Sequence, residues 1–153
     1  MEYAASFGIE VAMVPGISSS LAVPAYQNIP LTKRGSAESF WVITGTTKEH
    51  KLSDDVALAA KSNATVVILM GMGKLPEIVK LFQNESKNHL PVAIIQNGTT
   101  IHEKVGIATI DTILDVVEKQ ALSNPAIIVL GEVVHHRSVI ENVQKAYSKT
   151  LIA

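Results

Sequence analysis

Short β-branched runs alternate along the chain with stretches whose apolar positions recur at helical spacing. The runs Val11–Val14, Phe40–Thr44, Thr65–Met70, Val92–Ile95, Val105–Ile110 and Ala126–Leu130 read as strands. Between them, four groups of apolar residues fall on helix faces: Leu52, Val56, Leu58 and Ala59; Leu75, Ile78, Val79 and Phe82; Ile113, Leu114 and Val117, with Glu118 outward; and Val139, Ile140, Val143 and Tyr147. Asp111 stands as the N-cap of the third helix. Strands alternating with helices predict an α/β domain, its sheet mostly parallel and flanked by helices. Asn97-Gly98 lies between two strand-like runs and opens a hairpin-like connection, so the sheet is expected to be mixed.

The opening has its own pattern. Glu2–Phe7 reads as the last turns of a helix, Gly8 as its C-cap, and Ile9–Val14 as a strand. A βαβ unit needs an earlier strand for that one to pair with. The favoured expectation is that 1–17 is the remnant of a preceding domain and 18–153 a domain proper; a short α-β opening is the other reading.

Composition narrows the function. The chain has 153 residues, 47% of them hydrophobic and 18% charged, which is ordinary for one globular domain. The net charge of −1 gives no general electrostatic grip on nucleic acid or an anionic membrane. Without cysteine there is no disulfide, no thiolate nucleophile and no cysteine-based zinc site. The apolar runs are too short to span a bilayer, and Glu2 stands where a signal peptide is basic. A cytoplasmic protein is expected. His135-His136 is not a metal pair on this pattern, because neighbours on a strand point to opposite faces. Gly71-Met72-Gly73-Lys74 lacks the spacing of a phosphate loop.

One region carries more chemistry. Val14-Pro15-Gly16-Ile17-Ser18-Ser19-Ser20 runs from a strand through a glycine turn into small hydroxyl residues, where backbone can approach a ligand closely. Pro24-Ala25-Tyr26-Gln27-Asn28-Ile29-Pro30-Leu31-Thr32-Lys33-Arg34-Gly35 follows at a fixed distance. Together they resemble the signature of the uroporphyrinogen-III C-methyltransferases, within the tetrapyrrole methylase family. Matching segments follow in order over almost the whole chain: Val42-Ile43-Thr44-Gly45, Val67-Ile68-Leu69-Met70-Gly71, Pro91-Val92-Ala93 with Gln96-Asn97-Gly98-Thr99, and Pro125 to Val134. Four positions depart from the pattern. Thr46 stands in place of a histidine, Val56 of an aromatic residue, Glu103 of a glutamine, and Lys33 of the more usual histidine.

The resemblance implies a tetrapyrrole-methylase-like C-terminal domain of a two-domain enzyme, usually a homodimer, with S-adenosylmethionine (SAM) in the cleft between domains and S-adenosylhomocysteine (SAH) as product. The family's Gly-Pro-Gly-Asp and Gly-Gly-Asp turns are not in this sequence, and the catalytic proton-transfer residues would lie with them. The resemblance places Ser18, Ser19, Met70 and Gly98 at the cofactor. The bland alternatives are helix capping for the serines, core packing for Met70 and a positive-φ turn for Gly98. It makes Arg34 the anchor for a carboxylate of the substrate, since a guanidinium fork suits that group. Tyr26 would line the same cleft, or else pack in the core. The implied reaction is methylation of uroporphyrinogen III to precorrin-1 and precorrin-2 without a metal, on the sirohaem or cobalamin route, with this chain inactive alone. The alternatives are a later precorrin methylase, a ribosomal-RNA ribose methylase on the same fold, or a non-catalytic dimerisation domain.

Overall fold

The computed structural model describes the backbone of residues 1–150 and the side chains of residues 1–147. Helix α1 is Glu2–Ala5 and α2 is Ser19–Tyr26. Strand β1 (Phe40–Thr44) leads through α3 (Asp54–Lys61) to β2 (Thr65–Leu69). A 3-10 turn at Met72–Lys74 and α4 (Leu75–Asn84) then lead to β3 (Pro91–Gln96). β4 (Lys104–Thr109), α5 (Ile113–Gln120), β5 (Ala126–Leu130), a 3-10 turn at Glu132–His135 and α6 (His136–Thr150) complete the order.

The five strands form one sheet in the order β1-β2-β5-β3-β4. It is mixed, as expected, but β1–β2 is the sole parallel pairing among the described residues; β2–β5, β5–β3 and β3–β4 are antiparallel. This corrects the expectation of a mostly parallel sheet. The helical crossovers do keep their strands codirectional: β1, β2 and β3 run one way, β4 and β5 the other. The hairpin at Asn97-Gly98 reverses the chain once, and β5 then inserts between β2 and β3, which both oppose it. Alternation of strand and helix fixes the direction of each unit, not which strands become neighbours.

Strand alternation sorts the core onto two faces. Val66 and Ile68 of β2, Val92 and Ile94 of β3, and Ile128 and Leu130 of β5 face α3, α4 and α5, where Val56, Ile78, Phe82 and Ile113 are fully buried. Val67, Ala93, Ile95, Ile127 and Val129 face the other way, against Val23 of α2, Ile29, Ala37, Val133 and Val134. The central strands are thus apolar on both faces, which is why they read as unbroken runs. β1 is an edge, and its Phe40, Trp41 and Val42 are exposed.

Several expected features differ. Residues 11–14 form no strand; they are exposed and pair with neither β1 nor β4, so no partner in this sheet supplies the ladder a strand needs. Helix α1 ends earlier than expected, at Ala5, and Ser6, not Gly8, is its C-cap; Gly8, at φ +72°, follows in the turn, where the Gly8 and Ile9 amides reach back to the carbonyls of Ala5 and Ala4. Leu58 is exposed, and α3 buries Val56, Ala59 and Ala60 instead. Thr112, not Asp111, is the N-cap of α5; the Asp111 carboxylate accepts from the side-chain amides of Gln83 and Asn88, each at 2.9 Å. The apolar face of α6 (Val139, Ile140, Val143, Tyr147) is exposed. Among the described residues no helix is long and apolar enough to cross a membrane.

Candidate functional site

The C-terminal ends of β1, β2 and β3 and the start of β5 share one sheet edge, where open α/β sheets commonly take ligands. Two glycines interlock there. A Cβ on Gly45 would come within 2.8 Å of the Gly71 Cα, and one on Gly71 within 2.7 Å of the Ile68 Cγ2. The Gly45 amide donates to the Leu69 carbonyl at 2.7 Å. Thr46 Oγ1 donates to the Met70 carbonyl, also at 2.7 Å. The Thr-Gly and Met-Gly pairs therefore draw the ends of β1 and β2 together. Between them the chain turns through Met70 at φ +53°, a left-handed conformation that is uncommon without glycine. Its side chain is 62% exposed, which rules out the core-packing reading.

The facing wall is the loop 97–103 between β3 and β4. Asn97 and Thr99 take positive φ, at 49° and 68°, whereas Gly98 between them does not. Gly98 is needed for space instead: its Cβ would lie 2.4 Å from Val23 Cγ1 on α2. Ser18 caps α2, accepting from the Ser20 amide at 3.3 Å, and its hydroxyl lies 2.7 Å from that of Ser20. The capping role is thereby filled, and the neighbouring Ser19 lines the cleft.

The resulting open cleft has a volume of about 510 Å³. Leu69, Ile95, Ile127 and Val23 form an apolar floor, and Ser19, Met70, Asn97, Gly98 and Thr100 form the rim. Among the described residues no charged side chain lines it. An apolar floor with a few polar groups suits a flat heterocycle that has a polar edge. Ser19, Met70 and Gly98 thus come together from three distant stretches of sequence. Val23 and Thr100 join them although nothing in their local pattern marks them, and Pro125 joins them from the start of the last matching segment.

Arg34 and Tyr26 are elsewhere. Tyr26 ends α2 and is exposed, outside the cleft. Arg34 is exposed in a turn closed by the Lys33–Ala37 bridge, which precedes the start of β1 and so lies toward the opposite sheet edge. Ser36, two residues on, lines a second cavity of about 440 Å³ with Ser62, Lys87, His89 and Glu132. Lys87 donates to the Ser62 carbonyl, and burial pushes its pKa below the ordinary lysine value against the opposing pull of Glu85. Lys33 Nζ lies 3.1 Å from His136 Nδ1, and Ser36 Oγ 3.4 Å from His136 Nε2. Burial, the Lys33 ammonium and His135 together lower the His136 pKa. Among the described residues no three His, Asp or Glu side chains gather as a metal site.

Residues 2–114 match the family model of the Tetrapyrrole (Corrin/Porphyrin) Methylases. The chain belongs to this family. Among the methylases it resembles, the uroporphyrinogen-III C-methyltransferase of Methanocaldococcus jannaschii is 41% identical over 129 residues, covering 83% of this chain and 53% of that one. The S-adenosyl-L-methionine-dependent uroporphyrinogen III methyltransferase of Methanosarcina barkeri is 39% identical over 136 residues, 86% of this chain and 53% of that one. The chain spans about half the length of these two curated relatives. The uroporphyrin-III C-methyl transferase of Thermus thermophilus, solved in complex with S-adenyl homocysteine, superposes with a TM-score of 0.74 at 27% identity, covering 88% of this chain and 58% of that one. A cobalt precorrin-4 methyltransferase shares the fold, with a TM-score of 0.78 at 18% identity over 86% of this chain and 56% of that one.

Proposed function

We propose that this chain supplies one wall of a SAM-binding cleft in a uroporphyrinogen-III C-methyltransferase. The observation that carries the reading is the convergence of Ser19, Met70 and Gly98 on one uncharged, apolar-floored cleft. The residues fit the cofactor. Gly98 lets the loop close onto Val23 of α2, Met70 would offer a polarizable thioether to an adenine face, and among the described residues no cation lines the cleft to repel a sulfonium. SAM supplies an activated methyl group to a nucleophilic pyrrole carbon. The chain's own contribution is to fix the nucleoside end and to exclude water from one side.

Residues 1–17 belong, in this reading, with a preceding methylase domain, and 18–153 form the C-terminal one. The exposure of Met13, Val14 and Ile17 (75%, 90% and 91%) supports it, because large apolar side chains in a row call for a covering surface. Assembly as a homodimer is part of the same proposal. The test is transfer of labelled methyl from SAM to uroporphyrinogen III, to later precorrins and to ribosomal RNA, by this chain with and without the separately expressed first half of the M. jannaschii relative. Label in precorrin-2 when both halves are present supports the reading. Label only in a later precorrin or in RNA would replace it. Arg34→Ala in that system tests the substrate anchor: a raised KM for the tetrapyrrole with KM for SAM unchanged supports it, and equal effects remove it.

A further inference from the structure

One carboxylate ties the cleft wall that carries Gly98 to the end of α2. Glu103 closes the 97–103 loop, and its Oε2 accepts from the Thr99 amide at 2.7 Å. Its Oε1 accepts from Gln27 Nε2. Gln27 is the C-cap of α2 and is buried, 7% exposed. The Gln27 Oε1 accepts in turn from Arg137 Nε at 3.2 Å, and Arg137 pairs with Glu141 at 2.9 Å. One amide orientation satisfies both neighbours, with the NH2 on the carboxylate and the C=O on the guanidinium. The loop needs such a clamp. Thr99 is β-branched and sits at φ +68°, a conformation that persists only where its surroundings over-determine it. Gly98 lies between Asn97 and Thr99 and packs on Val23 of the same helix that Gln27 caps.

We propose that Glu103 is a positioning residue for the cofactor: its carboxylate, held between the Thr99 amide and Gln27, sets where Gly98 stands in the cleft. This rests on the cofactor reading above. It also accounts for Glu103 in place of the glutamine expected there. The two groups facing it are both donors, and a glutamine offers a carbonyl to one but turns an NH2 toward the other.

The test is an exchange of the two side chains. Glu103→Gln sets donor against donor, and Gln27→Glu sets carboxylate against carboxylate. The double variant restores every bond, with a carboxylate at 27 accepting from the amide at 103 and from Arg137. Two readouts are taken: amide hydrogen exchange at Gly98 and Thr99 by NMR without ligand, and SAH affinity by calorimetry with the separately expressed first half of the M. jannaschii relative present. Each single variant is expected to speed Thr99 exchange and to weaken SAH binding by about tenfold or more, the size of a lost charge-assisted bond. The double variant is expected within about threefold of the parent on both, since only the interaction term distinguishes it from the sum of the singles. If a single variant folds poorly, the double variant carries the test. Single variants that leave both readouts unchanged, or a double variant no better than the sum of the singles, would overturn the proposal. Faster exchange with unchanged affinity would also overturn it, because the cofactor would then not feel the loop. If the chain takes up no SAH even with the first half of the M. jannaschii relative present, the cofactor reading fails, and Thr99 exchange unchanged in the single variants then overturns the clamp as well.

Discussion

Gly98→Ala adds one methyl group where α2 and the 97–103 loop meet. That Cβ would stand 2.4 Å from Val23 Cγ1, 2.8 Å from Cγ2 and 3.2 Å from the Val23 Cβ itself. Ordinary contact begins near 3.4 Å, so the surfaces must part by about an ångström. Val23 cannot rotate away, because a helical valine has one strongly preferred rotamer and Val23 is only 6% exposed. Nor does backbone strain confuse the reading, since Gly98 is not in the left-handed region. Overpacking of this kind costs about 1–3 kcal/mol. For a chain of this length about 2 kcal/mol corresponds to a fall in Tm of about 4–8 °C. The displaced loop is also a cleft wall, so SAH affinity is expected to fall about tenfold or more, which is about 1.4 kcal/mol. Val23→Ala alone loses about 1.6 kcal/mol of buried methyl groups plus a cavity term. In the double variant the new methyl occupies that cavity. A thermal-melt double-mutant cycle should then give a favourable coupling of at least about 1 kcal/mol. Gly98→Ala melting within about 1 °C of the parent, with no coupling to Val23→Ala, would refute the close-approach reasoning.

Three further perturbations probe the same edge and its opposite. Met70→Gly should raise Tm by about 1–4 °C, because the roughly 1–2 kcal/mol cost of a left-handed L-residue exceeds glycine's added entropy, yet weaken SAH binding through loss of the thioether; calorimetry and a thermal melt separate the two. Ser18→Ala should lower Tm by about 2–4 °C, the worth of one helix cap. His136 should titrate below 6.5 by NMR, and Lys33→Gln should move its midpoint upward because the second-largest cause of its depression is then gone. The folded chain holds that proton less tightly than the unfolded one. Its contribution to stability therefore rises with pH between the depressed folded value and 6.5, and is lost on acidification through that window.

The strands were legible where burial on both faces makes an unbroken apolar run, as in Val66–Leu69 and Ala126–Leu130. Residues 11–14 carry the same local signal without a neighbour in this sheet, and local pattern does not report neighbours. The exposed faces of Leu58 and α6 have the same origin, since helical spacing marks an apolar face but not what covers it. Of the site, Ser19, Met70 and Gly98 were legible through motifs whose glycines prove to be steric. The reason for Gly98 was not, because Val23 lies 75 residues away in sequence. The Glu103–Gln27–Arg137 chain joins side chains 76 and 110 residues apart, and no window along the sequence contains it. Arg34 reads as a cleft residue from its motif, yet the turn that carries it precedes β1, which places it toward the far edge.

The central claim is that the cleft formed by Ser19, Met70 and Gly98 holds the nucleoside of SAM. Its most direct measurement is a calorimetric titration of SAH into this chain paired with the separately expressed first half of the M. jannaschii relative, and into the same pair carrying Gly98→Ala. One-site binding to the parent pair is expected, with at least a tenfold loss in the variant, about 1.4 kcal/mol. No binding to the parent pair, or equal binding to both, would contradict it.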